Sequence, residues 1–331
     1  MKAKKSPHVV VIGGGTGTYT VLTGLKKYPY TLSAIVTMSD DGGSTGILRD
    51  ELGVLPPGDV RTCLVALSSS DKLMRTLMNY RFDSGGLKGH SFGNLLLSAL
   101  EKITGSFDEA VEKAGEVLRI RGSVIPATLD KVRLAAQVGK RIIRGEEKLQ
   151  TSLLNGSLKK LWLEPNARAN PKAISTIRAA DVIIIGPGNL YASLVPNLLV
   201  EGMPEAIRKS KAKKVFICNL MTKTEHTHDW NVAEYVASIE SYLGGPVDIV
   251  IYNNKRPDAA LLKKYAREGD TLTSWDVLPE KRRLIGANLM SRRTHVPNKI
   301  GTPAIESSLV RHDSAKLASL ISVILSGKKK H

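Results

Sequence analysis

Two aspartates stand side by side in VTMSDDGGSTG, at Asp40 and Asp41, and a glycine run, Gly13, Gly14, Gly15, Thr16 and Gly17, precedes them in VVVIGGGTGTYT. Paired carboxylates in a glycine-rich loop can hold a cation against a phosphate or pass a proton, and both roles belong to chemistry at a diphosphate. Other readings fit the same residues. A dinucleotide fingerprint needs G-x-G-x-x-G with an acid about 20 residues on. Gly13, Gly15 and Asp40 answer to it, although Thr18 replaces the third glycine. Asp-Gly pairs also cap turns with no ligand involved.

The elements that must carry these residues follow from the flanking pattern. A β-branched run ends in the first glycines, and Val21, Leu22 and Leu25 continue with helical spacing. Such a turn lets the backbone approach a phosphate while the next helix offers free N–H groups and the positive end of its dipole. A second strand, TLSAIV, delivers Asp40 and Asp41 and then Gly42, Gly43 and Ser44. In a parallel sheet both loops face one crevice.

Further candidates recur after each strand or breaker. Pro56-Pro57-Gly58 stops one segment, so Asp59 is expected to cap a helix with Arg61 beside it for an anion. His90, Ser91 and Asn94 open an apolar helix after three glycines, with His90 and Asn94 on one face if both are helical. Gly186, Gly188, Asn189, Leu190 and Tyr191 repeat the strand–turn–helix logic as a third anion-ready turn. Asn219 and Asn253 end later strands and are placed to meet a base or sugar, and Arg292 is a late arginine able to assist at the diphosphate. Asp313 can cap the last helix, with Arg311 and His312 either reaching an anion or forming surface charge. His226, His228 and Asp229 suggest a metal, but without further ligands at supporting spacing they read as a polar loop.

Residues 119–165 break the alternation of strands and helices. Short alternating runs with Gly139-Lys140 as a hairpin turn between strands around Leu134 and Ile142 predict an inserted β-rich edge of structural character. The expected whole is one α/β domain over 1–331: a Rossmann-like, doubly wound, mostly parallel sheet with an inserted helical and β-hairpin region.

The chain has 331 residues and a formal charge of +17. That charge suits an anionic ligand, and it lacks the interleaved aromatics of an RNA-binding surface, so specific nucleic-acid binding is not expected. No apolar run reaches the roughly 20 residues of a membrane span, and MKAKKSPHVV has no signal-peptide core, so a cytoplasmic protein is expected. Cys63 and Cys218 sit in apolar stretches and read as buried thiols.

The ordered set GGGTGTYTVLTGLK, VTMSDDGGSTGILRDELGVLPPGDVRTCLVALS, GHSFGNLLLSAL, IIIGPGNLYASLVPNLL, CNLMT and RHDSAKLA resembles the gluconeogenesis factor family (YvcK/GlmR type) nearly end to end. That family lies within the wider CofD-like group (UPF0052), which includes 2-phospho-L-lactate transferase. The resemblance implies binding of UDP-sugars, notably UDP-N-acetylglucosamine and UDP-glucose. It also implies a regulatory role in carbon allocation to cell-envelope precursors, and in cell shape, during gluconeogenic growth. Glucosamine-6-phosphate synthase is the implied protein partner, a homo-oligomer the expected assembly, and a uridylyltransferase or phospholactyl-type transferase activity the implied alternative. On this reading Gly13–Gly17, Asp40–Ser44, Asp59 with Arg61, His90–Asn94 and Gly186–Tyr191 match the family's loops. Magnesium at Asp40 and Asp41 would serve any transfer step, with no tightly bound cofactor. The sequence departs from the family at Thr18-Tyr19-Thr20, at Thr62-Cys63 and around His226 to His228.

Overall fold

The computed structural model describes residues 6–154, 156–267, 269–280, 282–291 and 311–326. The chain opens with β1 (His8–Gly13), α1 (Thr16–Leu25) and β2 (Thr31–Val36), followed by α2 (Gly43–Leu52), α3 (Gly58–Leu67) and α4 (Lys72–Asn79). Next come α5 (Phe92–Thr104), α6 (Phe107–Val117) and β3 (Ser123–Pro126), then β4 (Arg133–Val138), β5 (Arg141–Arg144), α7 (Glu146–Gln150) and β6 (Leu158–Glu164). The alternation resumes with α8 (Pro171–Ala179), β7 (Val182–Ile185), α9 (Val195–Leu198), α10 (Met203–Lys209), β8 (Lys213–Ile217) and α11 (Val232–Leu243). It ends with β9 (Ile249–Asn253), α12 (Ala259–Arg267), β10 (Arg283–Ala287) and α13 (Ser314–Ser326).

Seven strands form one sheet in the order β10-β9-β8-β7-β1-β2-β3, and every pairing in it is parallel. The β-branched runs are hydrophobic on both faces because both faces are covered. Val9 and Val11 pack with α1, α3, α5 and α13 through Leu22, Leu64, Leu97 and Ile321. Val10 and Ile12 point the other way, into a second core with Ile177, Leu198, Ile207 and Tyr235. Each fully buried aliphatic side chain contributes on the order of 1.5–3 kcal/mol, so the strands are rigid supports for whatever their ends carry. The strand order reverses between β1 and β7, where an α/β sheet opens a crevice at its carboxyl edge.

The inserted edge differs from expectation. β3 pairs in parallel with β2 and is the outermost strand of the main sheet. Only β4, β5 and β6 make a separate antiparallel sheet, with Gly139 at φ 58 turning the β4–β5 hairpin. The glycines after Asp41 also form less loop than expected, since α2 begins at Gly43. Strand β10 had no clear signal in sequence. No helix among the described residues is long and apolar enough to cross a membrane.

Candidate functional site

In a parallel sheet with helical connections, each helix that follows a strand begins at the sheet's carboxyl edge. A cleft of about 530 Å³ opens there, lined by Thr16, Asp40, Gly42, Gly43, Ser44, Thr45, Gly58, Asp59, Arg61, Thr62, Arg81, Asn94, Glu146, Glu147, Gln150 and Thr151. Thr16 begins α1, Ser44 and Thr45 lie in the first turn of α2, Gly58 and Asp59 in that of α3, and Asn94 in that of α5. The amino ends of four helices of ten or more residues therefore meet one cavity, each bringing the positive end of a dipole, and the short α7 begins there too with Glu146 and Glu147.

Asp40 is held by its neighbours. Its Oδ1 accepts from the Gly42 N–H at 3.0 Å, the Thr45 hydroxyl bonds to it, and Arg49 donates to its backbone carbonyl at 2.7 Å. Burial raises its pKa, the Asp41 charge adds to this, and the Gly42, Thr45 and Arg49 contacts oppose it. Asp59 is not the cap of α3, since Pro57 stands there. Instead its carboxylate reaches over the first glycine turn and accepts from the Gly15 N–H. A side chain at Gly15 would place Cβ 2.5 Å from Asp59 Oδ1, so this glycine admits the carboxylate. Burial and the nearby Asp40 charge push Asp59 up to about 7. Glu146 is pushed up to about 8, first by burial and then by the Asp40 charge, with Asp59 and Asp41 adding to it.

The same cleft also has a cationic lining, from Arg61 and Arg81. Arg61 is 8 % exposed and donates through Nη1 to Asn79 Oδ1 at 2.8 Å and to the Met78 carbonyl at 3.3 Å. Its pKa falls to about 10, through burial and then the Arg81 charge, against the pull of Asp59 and Asp40. Its Nε is buried without a hydrogen-bond partner, as is Oδ1 of Asn94, which is 3 % exposed. Ser44 Oγ lies 3.0 Å from His90 Nδ1 and 3.3 Å from Asn94 Nδ2.

The other expected residues take supporting places. Asp41 turns from the cleft: its Oδ1 accepts from the Glu147 N–H at 3.0 Å and its Oδ2 faces Arg133 at 3.3 Å, leaving its side chain 6 % exposed. His90 and Ser91 precede α5, where Ser91 is the cap, so His90 and Asn94 meet through Ser44 and not along a helix face. Gly17 is pressed onto the turn after β7, since a Cβ there would lie 1.8 Å from the Pro187 carbonyl oxygen. In that turn Asn189 Oδ1 accepts from the N–H groups of Tyr191 and Ala192, and Asn219 bonds both the N–H and the carbonyl of Gly188. The third turn thus binds its own donors, Leu190 and Tyr191 pack into the second core, and Leu194 lies against Gly186 and Gly188. Gly13 and Gly14 likewise face Thr18 and Ser193.

Asn253 is also structural, accepting from the Leu289 N–H at 3.1 Å and donating to the Lys255 carbonyl. His226 is buried, with Nε2 donating to the Leu149 carbonyl at 2.8 Å, and no group of three metal-ligating side chains occurs among the described residues. Asp313 caps α13, and His312 bonds the Cys218 backbone and is held down to about 4 by burial. Arg292 lies outside the described residues.

Several cleft residues had no motif to mark them. Glu146, Glu147, Gln150 and Thr151 come from the segment expected to be only structural, where Gly-Glu-Glu-Lys reads as a solvated charge run. Arg81 stood in a polar stretch next to glycines.

A family model described as 2-phospho-L-lactate transferase CofD matches residues 9–294. The chain belongs to this CofD family. Its relatives include the gluconeogenesis factor of Bacillus subtilis (strain 168), 38 % identical over 321 residues that cover 96 % of this chain and 98 % of that protein. The gluconeogenesis factor of Halalkalibacterium halodurans is 42 % identical over 268 residues, or 80 % and 83 % of the two chains. A crystal structure of a UPF0052 member from Bacillus halodurans superposes with a TM-score of 0.86 at 36 % identity, covering 97 % of this chain and all of the other. The resemblance carried by the ordered motifs and the Rossmann-like α/β architecture are thereby both borne out for this CofD-family protein.

Proposed function

We infer that this protein binds a nucleoside-diphosphate ligand, a UDP-sugar such as UDP-N-acetylglucosamine or UDP-glucose, and regulates carbon allocation to cell-envelope precursors in the cytoplasm during gluconeogenic growth. The observation that carries the reading is the meeting of four helix amino ends in one polar cleft beside Gly15 and Arg61. A diphosphate is the common anion with enough oxygens to engage several such ends at once. Relatives that share nearly the whole chain are gluconeogenesis factors, which supports the regulatory role and, with it, a protein partner such as glucosamine-6-phosphate synthase.

A second reading, a transferase using a nucleoside-diphosphate donor, is favoured by the pairing of Asp40 with Asp59 and by the family's description. Magnesium fits these residues in one way only: one or two carboxylates with ligand phosphates completing the shell, as that ion prefers. Asp40 and Asp59 would hold it, Asp41 being turned to Glu147 and Arg133. When bound, it would neutralise charge at the diphosphate. Arg61 would neutralise the far oxygens, and Ser44 and Asn94 would orient them.

Isothermal titration with UDP-N-acetylglucosamine, UDP-glucose, GDP and NAD separates the readings. UDP-sugar binding without turnover supports the regulator. Magnesium-dependent product formation that disappears in Asp40→Asn supports the transferase. Binding of NAD alone would sink both.

A further inference from the structure

The small antiparallel sheet places one residue in the cleft whose chemistry is unaccounted for by a diphosphate. Glu146 is 5 % exposed, lines the cleft, and has no cation within ion-pair distance among the described residues. One of its oxygens accepts from the Gln150 amide of the same helix. A carboxyl group can take more than one hydrogen-bond partner, accepting at both oxygens and donating when protonated, so Glu146 has capacity beyond Gln150.

α7 is too firmly braced to be an incidental excursion. The Gly145 N–H donates to the Leu134 carbonyl at 2.8 Å, the Glu147 N–H to Asp41 at 3.0 Å, and His226 to the Leu149 carbonyl at 2.8 Å. Just beyond, the Leu154 N–H donates to the Glu225 carbonyl at 2.8 Å. Four ties from three parts of the chain set Glu146, Gln150 and Thr151 against the helix amino ends.

We propose that Glu146 is the residue by which the cleft recognises the sugar of a nucleoside-diphosphate sugar. This rests on the nucleoside-diphosphate reading above and extends it. Among the described residues no aromatic side chain lines the cleft, so they offer a base nothing to stack on. Carboxylate, amide and hydroxyl groups converge in its place, and such a set reads the hydroxyl and acetamide donors of a sugar. The unpartnered, buried Nε of Arg61 and Oδ1 of Asn94, on residues lining the same cleft, show independently that the cavity is shaped for a polar occupant. The ligand then lies with its diphosphate over Thr16 and Ser44 and its sugar toward α7.

The test is isothermal titration of the full chain with UDP, UDP-glucose and UDP-N-acetylglucosamine. Wild-type protein is expected to prefer the UDP-sugars to UDP. Glu146→Ala lowers UDP-sugar affinity by roughly 10- to 100-fold and leaves UDP affinity unchanged. Glu146→Gln, which keeps the volume and one acceptor oxygen, loses roughly 3- to 10-fold of the sugar affinity and serves if the alanine variant does not fold. Variants that keep the wild-type ratio of UDP-sugar to UDP affinity, whether by losing both or neither, overturn the assignment alone. Wild-type protein that binds neither UDP nor UDP-sugar overturns the nucleoside-diphosphate reading and this assignment with it.

Discussion

Asp59 and Glu146 are carboxyls whose pKa is raised by burial and then by the charge of Asp40, and this makes the unliganded protein sensitive to pH. The sign follows from linkage. Both groups have folded pKa values, about 7 and about 8, above the roughly 4 of an unfolded carboxyl. Their contribution to stability is therefore complete below about pH 4 and is lost progressively as pH rises through the folded values. Glu146→Gln removes the ionisation, so its Tm should exceed that of wild type by a few degrees at about pH 9 and converge with it near pH 4. Thermal unfolding followed across that range decides it; a constant difference would show that the carboxyl does not titrate in the fold. Asp40, Asp59 and Arg61 were legible because they sit in or just after glycine- and proline-punctuated turns. Glu146 was not, because a carboxylate in a charge run looks the same in sequence whether solvent or a folded cleft surrounds it.

At the scale of elements, α7, β4 and the loop after β2 are one braced unit. Asp41 joins them through Glu147 and Arg133, which is why adjacent aspartates have different tasks: Asp40 faces the cleft and Asp41 fastens its wall. Asp41→Ala should lower stability by about 1–3 kcal/mol, because the Glu147 N–H and Arg133 lose a largely buried acceptor. Amide hydrogen exchange at residues 145–151 should quicken in that variant, with the rest of the sheet unchanged; unaltered exchange there would contradict the bracing role. Helical spacing was readable where apolar residues recur, as Val21, Leu22 and Leu25 do in α1 (Thr16–Leu25). The destination of short strands was not. β3 is four residues, and only tertiary pairing decides that it joins β2 and not the hairpin sheet. Likewise the turn after β7 was read as a phosphate cradle from its glycines, whereas Gly17 and Asn219 show its backbone occupied by its own neighbours.

For the whole molecule, the parallel sheet does the decisive sorting. Seven parallel strands put every strand-to-helix turn at one edge, so glycine turns far apart in sequence become walls of one region, with the first turn packed directly on the turn after β7. Acids and amino ends of helices gather at that edge. At the opposite edge Lys211, Lys213, Lys214 and Arg283 surround the starts of β8, β9 and β10, so the excess positive charge is not concentrated in the cleft. The central claim is that the cleft between α1, α2, α3, α5 and α7 receives a nucleoside diphosphate. A crystal structure of the complex with UDP-N-acetylglucosamine tests it most directly. The account predicts diphosphate oxygens at the first turns of α1 and α2 with Arg61 nearby, and the sugar against Glu146. Density for the ligand anywhere else on the molecule, or a cleft left to solvent at saturating ligand, would contradict it.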